Sequence, residues 1–258
     1  MLMDRSSLLN NFTKGRMPNY TCPHCAEGRL KLEGDFVSEE TVASMKDQDQ
    51  DYWDPDFVVL RFNCKLKCPA CSEIVFLIGD GGVEQDHDVD ERGAWTSEYI
   101  NYYTPKFFYP PIQIVKCPEK APYLVKEQVI AASSLYFAHP DSCCNSIRAA
   151  AEEILTDLGI PALDDKGAYV RFVSRINQLP PEKESVKALF NAIRWLGNHG
   201  SHPGEGLRPS HALDAFDILE LLLEELYSDS RLKIQELAKR INEVKGPVGR
   251  HSRLTLGE

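Results

Sequence analysis

The sequence contains no run of about 18 apolar residues, so no transmembrane helix is expected. Its start, MLMDRSSLLNNFTKGRM, lacks an apolar core followed by a small-residue cleavage site, so no secretory signal is expected and a cytoplasmic location follows. Serine-hydrolase, P-loop and dinucleotide fingerprints are absent, as is any internal repeat. Two acidic stretches occur, but neither has the glycine and ligand spacing of a calcium loop. An excess of positive charge is missing too. With 29 basic and 39 acidic residues the formal charge is −10, which disfavours non-specific binding to nucleic acid. Any such contact needs a local basic patch. Both halves of the chain are acidic, the first more so.

What is present suits one large or two ordinary folded domains: 258 residues, 43% hydrophobic and 26% charged. That composition excludes collagen, coiled coil and wholesale disorder. Eight cysteines stand out. Without a secretory signal they are not expected to form disulfides. Cys22-Pro23-His24-Cys25 and Cys68-Pro69-Ala70-Cys71 are two CPxC knuckles. Two residues between thiols let both sulfurs reach one ion from a tight turn, and proline stiffens that turn. Four thiolates around one ion form the closed tetrahedral site of a structural Zn²⁺, so Cys22, Cys25, Cys68 and Cys71 are the expected metal ligands. His24 reads as an exposed bystander, and Cys64 as a strand residue leading into the second knuckle.

The flanks of the second knuckle, Phe57 to Phe62 and Ile74 to Ile78, are β-branched and aromatic. Strand, knuckle, strand is a zinc-ribbon arrangement. The acidic residues 33–56 read as a solvated helix or loop, or as a docking surface for a basic protein partner. Glu84 to Glu91 reads as a loop. Residues 101–122, with five prolines and many aromatics, read as an extended connector packed onto something.

Beyond it the hydrophobic period changes from two to 3.6. Helices are predicted over residues 124–138, from Pro140 with Asp141 as N-cap, over Ala168–Leu179, from Glu182 to about Asn198, over Ser210–Tyr227 and over Arg231–Val244. Cys143, Cys144 and Trp195 read as core, and Arg148 with Glu152 as an intrahelical pair. The fold class is therefore α+β: a zinc-ribbon domain with an acidic insertion (1–100), a connector (101–123), a helical bundle (124–245) and a mobile tail (246–258).

Within residues 105–228, CPEKAP (117–122), Ser146-Ile147-Arg148-Ala149-Ala150-Ala151-Glu152, Leu158-Gly159-Ile160, Ile193-Arg194-Trp195-Leu196-Gly197-Asn198 and His202-Pro203-Gly204 resemble a HEPN-superfamily domain of unknown function. That domain is found in type I restriction subunits and small bacterial defence-linked proteins. The resemblance implies a HEPN-like bundle that forms a homodimer face to face. In active members an Arg-Asn-x-x-x-His motif from each copy cleaves RNA without metal. Histidine acts as general acid or base, and arginine holds the phosphate. Here the motif reads Gly197-Asn198-His199-Gly200-Ser201-His202, with glycine at the arginine position. Arg194 stands three residues earlier and is the candidate substitute, and His199 offers a second alignment with it. Arg194, Asn198, His199 and His202 are thus the candidate catalytic or ligand-binding residues. The plainer reading is that Asn198 and the histidines cap a helix end. Two functions follow: a binding or regulatory module for RNA or a nucleotide, or a metal-independent ribonuclease.

Overall fold

The computed structural model describes residues 4–89, 93, 95–200 and 206–247. The architecture is mixed α/β, with a four-stranded antiparallel sheet in the N-terminal part followed by helices. The strands run β1 (Lys31–Glu40), β2 (Val59–Lys67), β3 (Ile74–Val89) and β4 (Trp95–Tyr109), in that spatial order. A short helix α1 (Ser6–Leu9) precedes the sheet, and α2 (Val42–Asp47) links β1 to β2. The C-terminal part contains α3 (Tyr123–Leu135), α4 (Pro140–Asp157), α5 (Phe172–Ile176), α6 (Glu184–His199), α7 (Pro209–Tyr227) and α8 (Asp229–Val244).

β2 shows how the sheet arises. Leu60, Phe62, Cys64 and Leu66 alternate with exposed or half-buried residues, so one face of the strand is apolar. Val75, Leu77, Tyr103 and Phe108 continue that inner face across β3 and β4. Phe12 closes it. Its backbone exchanges hydrogen bonds with Tyr103 at 2.9 and 2.7 Å, and its ring packs edge-on against Phe36 and Phe62.

Sheet and helices share one buried core. Phe108 meets Phe137 with ring centroids 5.1 Å apart. The Tyr136 hydroxyl donates to the Leu8 carbonyl at 3.3 Å, and Arg5 pairs with Asp217 on α7. In the helical part α4 lies centrally, packed against α3, α6 and α7. Its buried stripe comprises Cys143, Cys144, Ile147, Ala150, Ala151, Ile154 and Leu155. The small alanines allow close approach of the neighbouring helices.

Several elements differ from the sequence expectation. The acidic stretch 33–56 is not all helix or loop, because its first third belongs to β1. A bulge between Leu32 and Phe36 breaks the alternation there, and only Phe36 is fully turned inward. Glu84 to Val89 is strand, paired with Trp95–Ile100. Those residues form a two-stranded ribbon beyond the packed sheet, in which 84–87 and 95–99 are exposed, so no apolar alternation marks them. Residues 101–109, expected as connector, complete β4, with Tyr103 and Phe108 inward. Asp141 does not cap α4. It sits in the first turn and accepts the Leu207 N–H at 2.7 Å, tying the segment before α7 to α4. The helix expected over 168–179 is confined to Phe172–Ile176. Most of the tail expected as mobile, residues 248–258, lies outside the described residues.

Because Phe12 fills the open side of the sheet core, Phe12→Ala is expected to cost about 3–5 kcal/mol. The check is the urea midpoint of unfolding, with the slope unchanged.

Candidate metal centre and the α4–α6 polar cluster

The two knuckles meet. The ligand atoms of Cys22, Cys25, Cys68 and Cys71 lie within 4.8 Å of one another. The Cys22–Cys71 sulfurs are 3.6 Å apart and the Cys25–Cys68 sulfurs 3.7 Å. A tetrahedron with metal–sulfur bonds of about 2.3 Å has edges of about 3.8 Å. The spacing therefore fits a single ion bound by four thiolates.

The backbone builds each half of this cluster in the same way. Ala26 N–H donates to the Cys22 carbonyl at 3.0 Å, and Ser72 N–H to the Cys68 carbonyl at 2.9 Å. Ala26 and Ser72, each following the second cysteine of its knuckle, both adopt left-handed backbone with φ of 57° and 67°. Gly28 N–H donates to the Cys25 sulfur at 3.4 Å. A Cβ on Gly28 would stand 2.2 Å from the Cys68 sulfur, so close approach explains this glycine. Gln113 anchors the first knuckle from the far side by donating to the Pro23 carbonyl at 3.1 Å.

The thiols differ electrostatically. Backbone amides of Gly28 and Glu27 hold Cys25 down at about 6. Burial pushes Cys22 up. At Cys71 an amide from Glu73 lowers the value, yet burial and the neighbouring thiols carry it to about 12. Like charges at this spacing do not all ionise without a cation between them. The donor set thus suits a divalent ion that would draw off the remaining protons. His24 is exposed. Cys64 is buried on the inner face of β2, where burial raises its thiol to about 11.

The second candidate site lies where α4 crosses α6. Arg148 reaches across to hydrogen-bond the Asn198 amide oxygen and donates through Nε to Glu152 Oε1 at 3.1 Å. Glu152 Oε2 accepts the Tyr169 hydroxyl at 2.7 Å. Beneath them Arg175, only 1% exposed, donates to the carbonyls of Glu152 and Ile160 at 2.9 and 2.7 Å and to Thr156 Oγ1 at 2.8 Å. Its guanidinium also stands 3.8 Å from the Glu152 carboxylate. A buried charge persists only when paired and hydrogen-bonded, and this one is hydrogen-bonded through Nε and Nη2 and paired with Glu152 through Nη1.

Gly197 explains why the polar chain can form. A Cβ there would lie 2.8 Å from Arg148 Cβ and 2.9 Å from its Cδ. Position 197 is empty of side chain because the Arg148 stem fills the space between the helices. The guanidinium next to Asn198 therefore comes from α4. Arg194 is not brought to it: that side chain stacks on the Trp195 ring at 4.1 Å and donates to Asn191 Oδ1 at 3.3 Å. Trp195, expected in the core, is 62% exposed. His199 is exposed at the end of α6. His202 lies outside the described residues. Sequence spacing had marked Arg148 and Glu152 only as an intrahelical pair. Their bonds to Asn198 and Tyr169 carried no sequence signal.

Residues 10–108 match the family described as Domain of unknown function (DUF8608). Residues 131–244 match Domain of unknown function (DUF4145). No curated protein and no solved structure matches the chain. The two family matches fall on the two parts of the fold, one spanning the knuckles and the sheet, the other α4 to α8.

Gly28→Ala is expected to abolish stoichiometric metal binding while leaving the helices folded, read by metal content and far-UV circular dichroism. Gly197→Ala is expected to destabilise despite alanine's higher helix propensity. Overpacking costs about 1–3 kcal/mol, against about 1 kcal/mol gained. Thermal unfolding in a double-mutant cycle with Arg148→Gly checks this: Gly197→Ala is expected to cost less in the Arg148→Gly background, which lacks both the Cβ and the stem it would meet.

Proposed function

We propose that this protein is a binding and regulatory module of the HEPN type, cytoplasmic and dimeric through its helices. It serves bacterial phage defence or restriction by holding RNA or a nucleotide without cleaving it. One structural Zn²⁺ on Cys22, Cys25, Cys68 and Cys71 pins the sheet end. A closed set of four thiolates suits zinc and leaves no open position for substrate.

The observation that carries the non-catalytic reading is the crossing at Gly197. An active motif needs an arginine whose guanidinium is offered to a scissile phosphate. Here the Arg148 stem excludes a side chain at 197, and the Arg148 guanidinium is engaged by Asn198 and Glu152. Asn198 is correspondingly occupied in holding two helices together. The exposed Trp195 ring with Arg194 stacked on it supports a binding role, since a ring and a guanidinium together receive a base and its phosphate. Dimerisation is supported by the apolar stripe that Ile234, Leu237, Ile241 and Val244 expose along α8 of a single chain. The exposed carboxylates of Asp47, Asp49 and Asp51 support a basic protein partner at the acidic segment.

The ribonuclease reading keeps one foothold: Arg148 supplies, from another helix, the guanidinium that position 197 lacks. Cleavage would then use that cation with His202 or His199, in place of Arg194.

Labelled RNA incubated with excess protein in magnesium-free buffer decides between the two. Intact RNA, with binding weakened about fivefold or more by Arg194→Ala/Trp195→Ala, is the expected result. RNA cut by the wild type and spared by His202→Ala overturns the binding-only reading. Metal analysis is expected to give about one zinc per chain, lost in Cys68→Ser.

A further inference from the structure

The outer face of the sheet is a second surface, built on strands rather than on the α4–α6 crossing. Among the described residues no helix covers it. Phe76 stands directly opposite Tyr109 and Ile78 opposite Phe107, so four apolar side chains form a square across β3 and β4. They are 54%, 77%, 48% and 41% exposed in that order. Neighbours on one strand are spaced by two residues, about 7 Å. Beside the square opens a cavity of about 640 Å³, floored by Asn63 and Ile78. Its lining brings Phe107 and His139 together with Arg61, Lys106, Glu39 and Asp80.

Charge on this face runs against the charge of the chain. The protein as a whole is −10. Yet at the end of the face nearest the knuckles Lys31, Lys65 and Lys67 share this side with Arg61 and Lys106, against Glu33, Glu39 and Asp80. Each of two carboxylates already serves two cations. Glu33 lies 2.8 Å from both Lys65 and Lys67, and Asp80 lies 3.2 Å from Arg61 and 3.8 Å from Lys106. The excess of positive charge is confined to the end of the face beside Phe76 and Tyr109, and the same strands turn acidic further along at Glu84, Asp86 and Glu98.

We infer that this face binds single-stranded nucleic acid, with bases stacked on Phe76, Phe107 and Tyr109 and phosphates held by Arg61, Lys65, Lys67 and Lys106. Flat rings set among flexible cations suit a chain that alternates π-faces with negative charges. A duplex keeps its base faces stacked internally and has nothing to offer the rings. This site goes beyond the helical contact proposed above and stands independently of it.

The test uses the full zinc-loaded chain and fluorescein-labelled twelve-residue oligouridylate and oligothymidylate, read by anisotropy. Saturable binding is expected, with log K falling against log salt at a slope of about −2 to −3 for three to four phosphates. Phe76→Ala/Phe107→Ala and Lys65→Glu/Lys67→Glu are each expected to weaken binding about tenfold or more, with metal content and circular dichroism unchanged. Phe107→Trp is expected to retain it. In an Arg194→Ala/Trp195→Ala chain, which lacks the helical contact, binding through the sheet is expected to persist. The inference is overturned if neither oligonucleotide binds by about 100 µM protein. It also fails if the sheet variants bind as wild type does, or if a twelve-base-pair duplex binds equally well. Loss of binding in the helical variant alone would overturn the sheet site and leave the helical reading standing.

Discussion

Four sulfur atoms gathered within 4.8 Å are the constraint on which the sheet end of this molecule depends. Thiols so close resist joint ionisation, and burial raises the cost further. A divalent cation would remove that conflict, and the cluster itself brings residue 22 to residue 71 across 49 positions of sequence. The consequences run outward. β2 and β3 must enter and leave the second knuckle side by side. Gly28 must be a glycine, and the segment before β1 must lie over the hairpin. Two alternating strands would bury few apolar groups alone, and a small sheet of this kind gains from a metal clip.

The other end of the molecule is organised by a buried charge. Arg175 is enclosed by carbonyls of Glu152 and Ile160 and by the Glu152 carboxylate, which in turn orients Arg148. Arg148 then spans the α4–α6 crossing to Asn198. Arg175, the buried member of this chain, would lose its carboxylate partner if Glu152 moved, which favours one arrangement. Asn198 is thereby placed in a helix contact.

Between the ends, aromatic rings join sheet to helices. Phe108 on β4 meets Phe137 after α3, Tyr136 reaches Leu8, and Arg5 pairs with Asp217. The N-terminal segment thus touches both parts. The sheet's inner face is consumed by this packing, while its outer face keeps rings and cations in solvent. Division of one sheet into a structural and an available side follows from the period of two along each strand.

Much was legible from residue order. CPxC spacing identified the four thiols that meet, because that geometry is local to each knuckle. β2 and the start of β3 showed their alternation, and α3, α4, α6, α7 and α8 their 3.6-residue period. The ribbon arms of β3 and β4 did not show, since an exposed hairpin carries no apolar pattern. β1 was masked by its bulge. Trp195 was misread as core because helical spacing says which residues share a face, not whether another helix covers it.

The sequence by itself determined the elements whose signals are short-range: knuckles, amphipathic helices and half-buried strands. Only the tertiary structure decided what fills the gap at Gly197, which guanidinium meets Asn198, and which face of the sheet stays open. Those outcomes depend on where residues far apart in the chain come to lie, as Arg148 and Asn198 do across 50 positions. Close packing leaves room for a single solution at each such crossing.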